Sequence, residues 1–200
     1  MSFPLDVLKD FDIILASQSP RRRALLQDMG LQFRSTTIEI EESYPSTLPA
    51  TEVAEYLSRL KANAYLPTIN SHELIICADT TVVLNNRILG KPQNANEAKK
   101  MLTQLSGKCH QVISGVSVRT SKGIYSFSDT TEVCFSNLTK ADINYYVETA
   151  MPLDKAGAYG IQEWIGMIGI NYIKGCFYNV MGFPTAAFYR FLQTKGKDLL

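Results

Sequence analysis

Apolar and polar positions alternate along the chain in patterns that mark out its elements before any single residue is singled out. Asp12 to Ala16 (DIILA) is a short apolar run and predicts a buried strand. Ser19 and Pro20 then supply a cap and a first-turn proline. The helix they open runs through Arg23-Ala24-Leu25-Leu26 and stops at Gly30. Phe33 to Ile40 alternates imperfectly and predicts a second strand, and residues 43–50, with Pro45 and Pro49, predict a loop. Thr51 is placed to cap a helix whose apolar stripe is Val53, Ala54, Leu57, Leu60 and Ala64.

Leu74 to Leu84 (LIICADTTVVL) is β-branched and apolar, interrupted by Asp79, and Asn85-Asn86 turns it into a hairpin with Arg87-Ile88-Leu89. Asn94 caps a further helix that ends before Gly107. Strands are predicted at His110–Arg119 and Ile124–Phe135, a helix over Thr139–Thr149, and a strand at Asn171–Lys174. Residues 151–169 read as loop with a short helix, and Pro184 opens a final amphipathic helix. Strands and helices alternate irregularly around central hairpins, which predicts a mixed α/β sheet rather than a purely parallel one. With no internal repeat and no low-complexity linker, residues 1–200 read as one domain.

Composition narrows the function. The chain is 46% hydrophobic and 20% charged, enough apolar material for a core. Its formal net charge is +1, so no global field favours nucleic acid or an anionic membrane as partner, and an anion site has to be local. The run Arg21-Arg22-Arg23 is the best such site. The N-terminal segment lacks a basic start and a long apolar core, so no secretory leader is predicted there, and no segment is apolar for long enough to span a bilayer. The four cysteines, Cys77, Cys109, Cys134 and Cys176, are scattered without a CxxC pair and are expected to be free thiols in a reducing cytosol.

The candidate chemistry begins at Leu15-Ala16-Ser17-Gln18-Ser19-Pro20-Arg21-Arg22. A buried strand leads through two serines to a helix start, whose first amides lack intrahelical partners and carry partial positive charge. Hydroxyls and two arginines beside them make a phosphate cradle; read without a ligand, the same segment is an ordinary capped helix. Asp79 is a carboxylate within an apolar strand, costly to bury. It is a metal ligand, a general base, or an acceptor satisfied by Thr80 and Thr81. Alternation sets Asp79 and Thr81 on one face and Thr80 on the other. Gly90-Lys91-Pro92 holds a lysine that can meet a phosphate or stand on a surface turn, and Lys61 lies near the end of an amphipathic helix. Glu39, Glu41 and Glu42 form either a solvated acidic edge or the source of one carboxylate that joins Asp79 around magnesium. His72 and His110 are too isolated for a zinc site, and HExxH, GxSxG and GxGxxG motifs are absent.

Taken in order, LASQSPRR (Leu15–Arg22), Lys61-Ala62, Ala78-Asp79-Thr80, Gly90-Lys91-Pro92, His110-Gln111-Val112 with Ser114-Gly115-Val116, DKAGAYGIQ (Asp154–Gln162) and YNVMGFP (Tyr178–Pro184) resemble the Maf family of nucleotide pyrophosphatases, over about residues 12 to 192. The resemblance implies an α/β fold with an elongated, twisted mixed sheet flanked by helices, two lobes around a central cleft, related to ITPase-like enzymes. It also implies hydrolysis of a nucleoside triphosphate between the α- and β-phosphates with a divalent metal, Mg2+ or Mn2+, in a cytoplasmic protein that is commonly a homodimer. Asp79 matches the family's general base, and Ser17, Arg21, Arg22, Glu39, Lys61 and Lys91 match its phosphate or metal positions, with Glu39 beside Asp79 on the metal. DKAGAYGIQ resembles the branch acting on dTTP and UTP, in which Arg21, Thr80 and Gln162 match the specificity positions. Glu163 departs from the glycine more usual after that glutamine, and Cys176 from a usual serine. Two other readings stand beside this one: a pyrophosphatase of the same fold directed at purines such as 7-methyl-GTP, and a non-catalytic nucleotide-binding regulator of septum formation.

Overall fold

The computed structural model describes residues 4–65 and 68–199, so the first three residues of the segment read for a leader lie outside the described residues. In chain order the elements are β1 (Asp12–Ala16), α1 (Pro20–Asp28), β2 (Arg34–Thr36), α2 (Val53–Ala64), β3 (Glu73–Leu84), β4 (Arg87–Leu89) and α3 (Ala95–Leu105). Then come β5 (Cys109–Thr120), β6 (Gly123–Phe135), α4 (Lys140–Ala150), α5 (Trp164–Gly169), β7 (Ile170–Lys174), α6 (Phe177–Met181) and α7 (Thr185–Leu199). Single 3-10 turns sit at Pro4–Leu8 and Ala156–Ala158.

All seven strands join one mixed sheet in the order β2-β1-β3-β5-β6-β7, with β4 also on β3. β1 runs parallel to β2 and β3, and the remaining pairs are antiparallel. The sheet is built around β3. One edge of β3 pairs continuously with β5 from Ile75 to Val83. Its other edge pairs with β1 up to Cys77 and with β4 from Val82 onward. Between them, Ala78 to Thr81 form an open edge.

Strand alternation then distributes the core. Leu74, Ile76 and Ala78 pack with Leu25 and Leu26 of α1 and with Phe188 and Leu192 of α7. Val82 and Leu84, on the same face further along, pack with Met101 and Leu102 of α3 and Tyr146 and Val147 of α4. Two apolar cores therefore share one face of the sheet, and the open edge of β3 lies between them. The opposite face is covered by α2, with Ala62 against Ile75 and Cys77 and Ala54 against Val83 and Ile113. Close seating of α2 depends on Gly115 of β5, where a Cβ would stand 2.3–2.4 Å from the backbone of Ala54 and Glu55. The far end of α2 is fixed by Arg119, whose Nη1 donates to the carbonyls of Ala62 (2.6 Å), Asn63 (3.3 Å) and Tyr65 (3.0 Å).

Most predicted boundaries agree with these elements. Ser19 caps α1 by accepting from the Arg22 amide, Asn94 caps α3 through Glu97 N, and Asn85 and Asn86 both take the positive φ that a tight hairpin needs. Three expectations need correction. The second strand is only Arg34–Thr36, because beyond Thr36 the chain leaves β1 and turns to line the cleft. The N-cap of α2 is Glu52, without a side-chain cap, and the buried stripe uses Ser58 and Ala62 in place of Leu60 and Ala64. Cys109 and Cys134 are joined by a disulfide, leaving Cys77 and Cys176 free. They stand directly opposite across β5 and β6, a proximity their separation of 25 residues conceals. The cysteines thus carry no argument for a reducing compartment. Among the described residues no helix is long and apolar enough to cross a membrane.

Candidate active site

The open edge of β3 forms the floor of a cleft of about 710 Å³. The end of β1 and the start of α1 bring Ser17, Arg21 and Arg22 to it. α2 brings Lys61, the segment after β2 brings Glu39 and Glu42, and the turn after β4 brings Lys91. Asp154, Lys155 and Gln162 arrive from the segment between α4 and α5. Asp79, Thr80 and Thr81 all line the same cleft although consecutive residues point to opposite faces. With no strand covering that stretch, both faces open onto one cavity.

On the α2 face, Lys61 Nζ donates to Asp79 Oδ1 at 2.6 Å and pairs with Glu42 Oε1 at 2.7 Å. Two carboxylates from distant parts of the chain thus converge on one cation. Partial burial disfavours the charge on Glu42, but Lys61 more than offsets this and holds its carboxyl below the usual range. Glu39 lines the cleft too, and both glutamates are exposed, but Glu42 is the one whose carboxylate meets Lys61 beside Asp79. The run carries no period that could have singled out Glu42; only the path of the chain after Thr36 does.

On the α1 face, Arg22 is held at every nitrogen. Nε donates to Gly182 O (2.8 Å), Nη1 to Ser17 Oγ (3.2 Å) and Nη2 to Thr80 Oγ1 (3.1 Å). Burial lowers its pKa from the ordinary value, and Asp79 works in the opposite direction. Thr80 Oγ1 is 2.9 Å from Ser114 Oγ and 3.4 Å from the Gly182 carbonyl, and Ser114 Oγ donates to Asn179 O at 3.0 Å. Thr80, a specificity position by resemblance, is thereby engaged in fixing Arg22. Arg21 turns the other way, with Nη1 donating to Asp154 Oδ2 at 2.7 Å, and Lys155 Nζ donates to Asp154 Oδ1 at 2.7 Å. Burial opposes the charge on Asp154, yet these two cations bring its pKa down to about 2. Arg23, third in the run, is exposed and does not line the cleft.

Lys91 is exposed on the lip, on a turn whose Gly90 carbonyl accepts from Gly157 N at 3.0 Å. Gln162 lines the cleft with a buried Oε1 that has no partner among the described residues. An amide offering both an acceptor and a donor at that point can read the polar edge of a ligand. Cys77, two residues from Asp79, is no rival nucleophile, since burial pushes its thiol up to about 12. Sequence reasoning named Asp154 and Lys155 only as part of DKAGAYGIQ, and it missed the role of Ser114 and of the Gly182 carbonyl.

A divalent ion fits the α2 face. Asp79 and Glu42 offer hard oxygen donors whose negative charge is already gathered around one cation. Among the described residues no group of three or more His, Cys, Asp or Glu side chains converges. The rest of a coordination sphere would therefore fall to phosphate oxygens and water, as magnesium prefers.

Fold and site define an α/β protein with a cleft built for a polyanion, cationic groups ringing a carboxylate pair at the open edge of a sheet. More narrowly, the chain belongs to the Maf family: the model of Maf-like protein matches residues 12–195. It is 48% identical over 190 residues to the dTTP/UTP pyrophosphatase of Phocaeicola vulgatus, covering 94% of this chain and 98% of that one. It is 51% identical over 179 residues to the dTTP/UTP pyrophosphatase of Cytophaga hutchinsonii, covering 90% and 82%. The solved nucleoside-triphosphatase / dITP/XTP pyrophosphatase of Mycobacterium abscessus aligns at a TM-score of 0.43 and 14% identity over 64% of this chain and 76% of that one, too remote to bear on the site.

Proposed function

We propose that this protein hydrolyses nucleoside triphosphates, dTTP and UTP by preference, to the monophosphate and pyrophosphate. The observation that carries the reading is the Lys61-bridged pair of Asp79 and Glu42 facing Arg22, Ser17 and Lys91 across one cleft. The names of the close relatives support the pyrimidine preference, and so does the unpartnered Gln162 Oε1.

Arg22 and Lys91 bind the triphosphate and spread its charge, with Ser17 holding Arg22 in position. Lys61 neutralises the carboxylate pair in the free protein and is within reach of phosphate when substrate enters. With Lys61 turned to the phosphates, the Asp79 carboxylate is free to take the proton of the attacking water, or to hold the metal that would lower that water's pKa. A divalent ion, magnesium or manganese, held by Asp79 and Glu42 would supply Lewis-acid screening of the phosphate oxygens. Gln162 and Arg21, on the opposite arm of the cleft, orient the base. The remaining expectations, a single domain over residues 1–200, a homodimer and a cytoplasmic location, belong to this same reading.

Asp79→Asn tests it. The substitution preserves size and hydrogen-bonding reach but cannot accept a proton, and Lys61 keeps Glu42 as counter-charge. Pyrophosphate release from UTP is expected to fall by roughly 10²-fold or more in kcat, with the melting temperature preserved. A purely structural Asp79 reverses the pattern: a lower melting temperature with near-normal turnover per folded molecule. A folded variant with wild-type turnover overturns the assignment.

A further inference from the structure

The arm of the cleft that carries Gln162 is secured by a chain of alternating charges. Tyr146, fully buried in α4, accepts from Gly160 N at 3.0 Å through its hydroxyl and donates to Glu163 Oε2. Glu163 Oε1 lies 3.1 Å from Lys155 Nζ, Lys155 holds Asp154 Oδ1, and Asp154 Oδ2 holds Arg21. Lys155 is only 9% exposed, so its ammonium depends on the two carboxylates that flank it. The Glu163 side chain also packs on the turn before Gln162, where a Cβ on Gly160 would come within 2.7 Å of Glu163 Cδ.

We propose that Glu163 is a positioning residue that fixes Arg21 and Gln162 and so sets how strictly the cleft discriminates among bases. The proposal rests on the nucleotide reading of the site. With the Glu163 carboxylate beside it, Lys155 is paired from two sides, and Asp154 is shared between Lys155 and Arg21. Without that charge, two cations compete for one carboxylate. The Lys155 side chain, 10% exposed, has little access to water and is drawn further onto Asp154; the Arg21 side chain, 25% exposed, has more access to water and loosens. The turn at 160–163 loosens with it. Lys61 and Lys91 meet the phosphates from other elements, and Arg22, although next to Arg21 on α1, is held by Gly182, Ser17 and Thr80 and is not in this chain of contacts. The effect therefore falls on base selection and leaves the chemical step in place.

Glu163→Gln in the full-length protein removes the charge while the amide oxygen still accepts from Tyr146. The ratio of kcat/KM for UTP over CTP is expected to fall by about tenfold, the scale of coupling through a packed network, with kcat for UTP nearly kept. The ratio is the decisive readout, because a lost negative charge draws both triphosphates in alike and a reduced folded fraction scales both alike. In the free protein, 15N relaxation at Arg21 Nε should report greater motion, a measurement that needs no substrate. If Glu163→Gln does not fold, Glu163→Ala removes the same charge from beside Lys155 and is read in the same two ways. An unchanged ratio, or an Arg21 as rigid as in the wild type, overturns the proposal. If the wild type hydrolyses neither UTP nor CTP, the nucleotide reading has failed, and the relaxation of Arg21 still decides whether Glu163 positions it.

Discussion

Among single residues, buried His110 imposes a pH dependence on stability. It is buried on β5, its Nε2 lies 2.7 Å from Tyr159 Oη, and its Nδ1 is buried without a partner among the described residues. Burial lowers its pKa from 6.5 to about 4. The unfolded chain then binds a proton between those values that the folded chain refuses, so stability falls as pH drops from 6.5 toward 4. The full loss is about 3 kcal/mol. Asp154 and Glu42, both held below their ordinary values, lose their contributions as pH falls further. Equilibrium urea unfolding at pH 7 and pH 4.5 measures the His110 share, and His110→Gln should flatten the slope in that window; an unchanged slope contradicts it. Such residues differ in how far sequence reveals them. Ser17, Arg22 and Asp79 stand out as a strand end, a capped helix and a charge in an apolar run, whereas Lys61 enters only through the resemblance, because a lysine near the end of an amphipathic helix is usually solvated. Glu42 was not distinguishable from Glu39, since a loop has no period and only tertiary placement selects between them.

At the scale of elements, the sequence declares whatever is fixed by local chemistry. Pro20 behind Ser19, Asn94 before Glu97 and the Asn85-Asn86 pair each determine an end or a turn through their own backbone and side-chain bonds. It conceals what neighbours impose. β2 stops at Thr36 although the alternation continues to Ile40, because pairing with β1 ends there. The burial of Ser58 is equally unreadable, since its hydroxyl is satisfied only by Ser117 at 2.8 Å and by Glu55 O. α2 is the element on which the carboxylate pair depends, as it delivers Lys61 while its first turn rests on Gly115. Gly115→Ala forces the helix off β5, and overpacking of that kind costs about 1–3 kcal/mol. Chemical denaturation should record that loss together with reduced turnover as Lys61 shifts from Asp79. A variant as stable and as active as the wild type would mean that α2 is not seated there.

For the molecule as a whole, the decisive feature is the gap between β1 and β4 on one edge of β3. It separates the two apolar cores on one face and lets residues from both faces of a single strand meet one ligand. Mixed strand direction was legible from the irregular order of hairpins and helices. The gap was not, because it depends on where two different strands stop along a third. Cations on one side, a carboxylate pair on the other and an amide-lined arm at the end give the cleft a direction, and on the proposed reading that direction brings the α–β phosphoanhydride bond to Asp79. The central claim is therefore a claim about bond position. 31P NMR of wild-type enzyme turning over UTP with magnesium reads it directly. UMP and intact pyrophosphate should rise together from the first time points in equal amounts. UDP and orthophosphate as the first products would contradict the account.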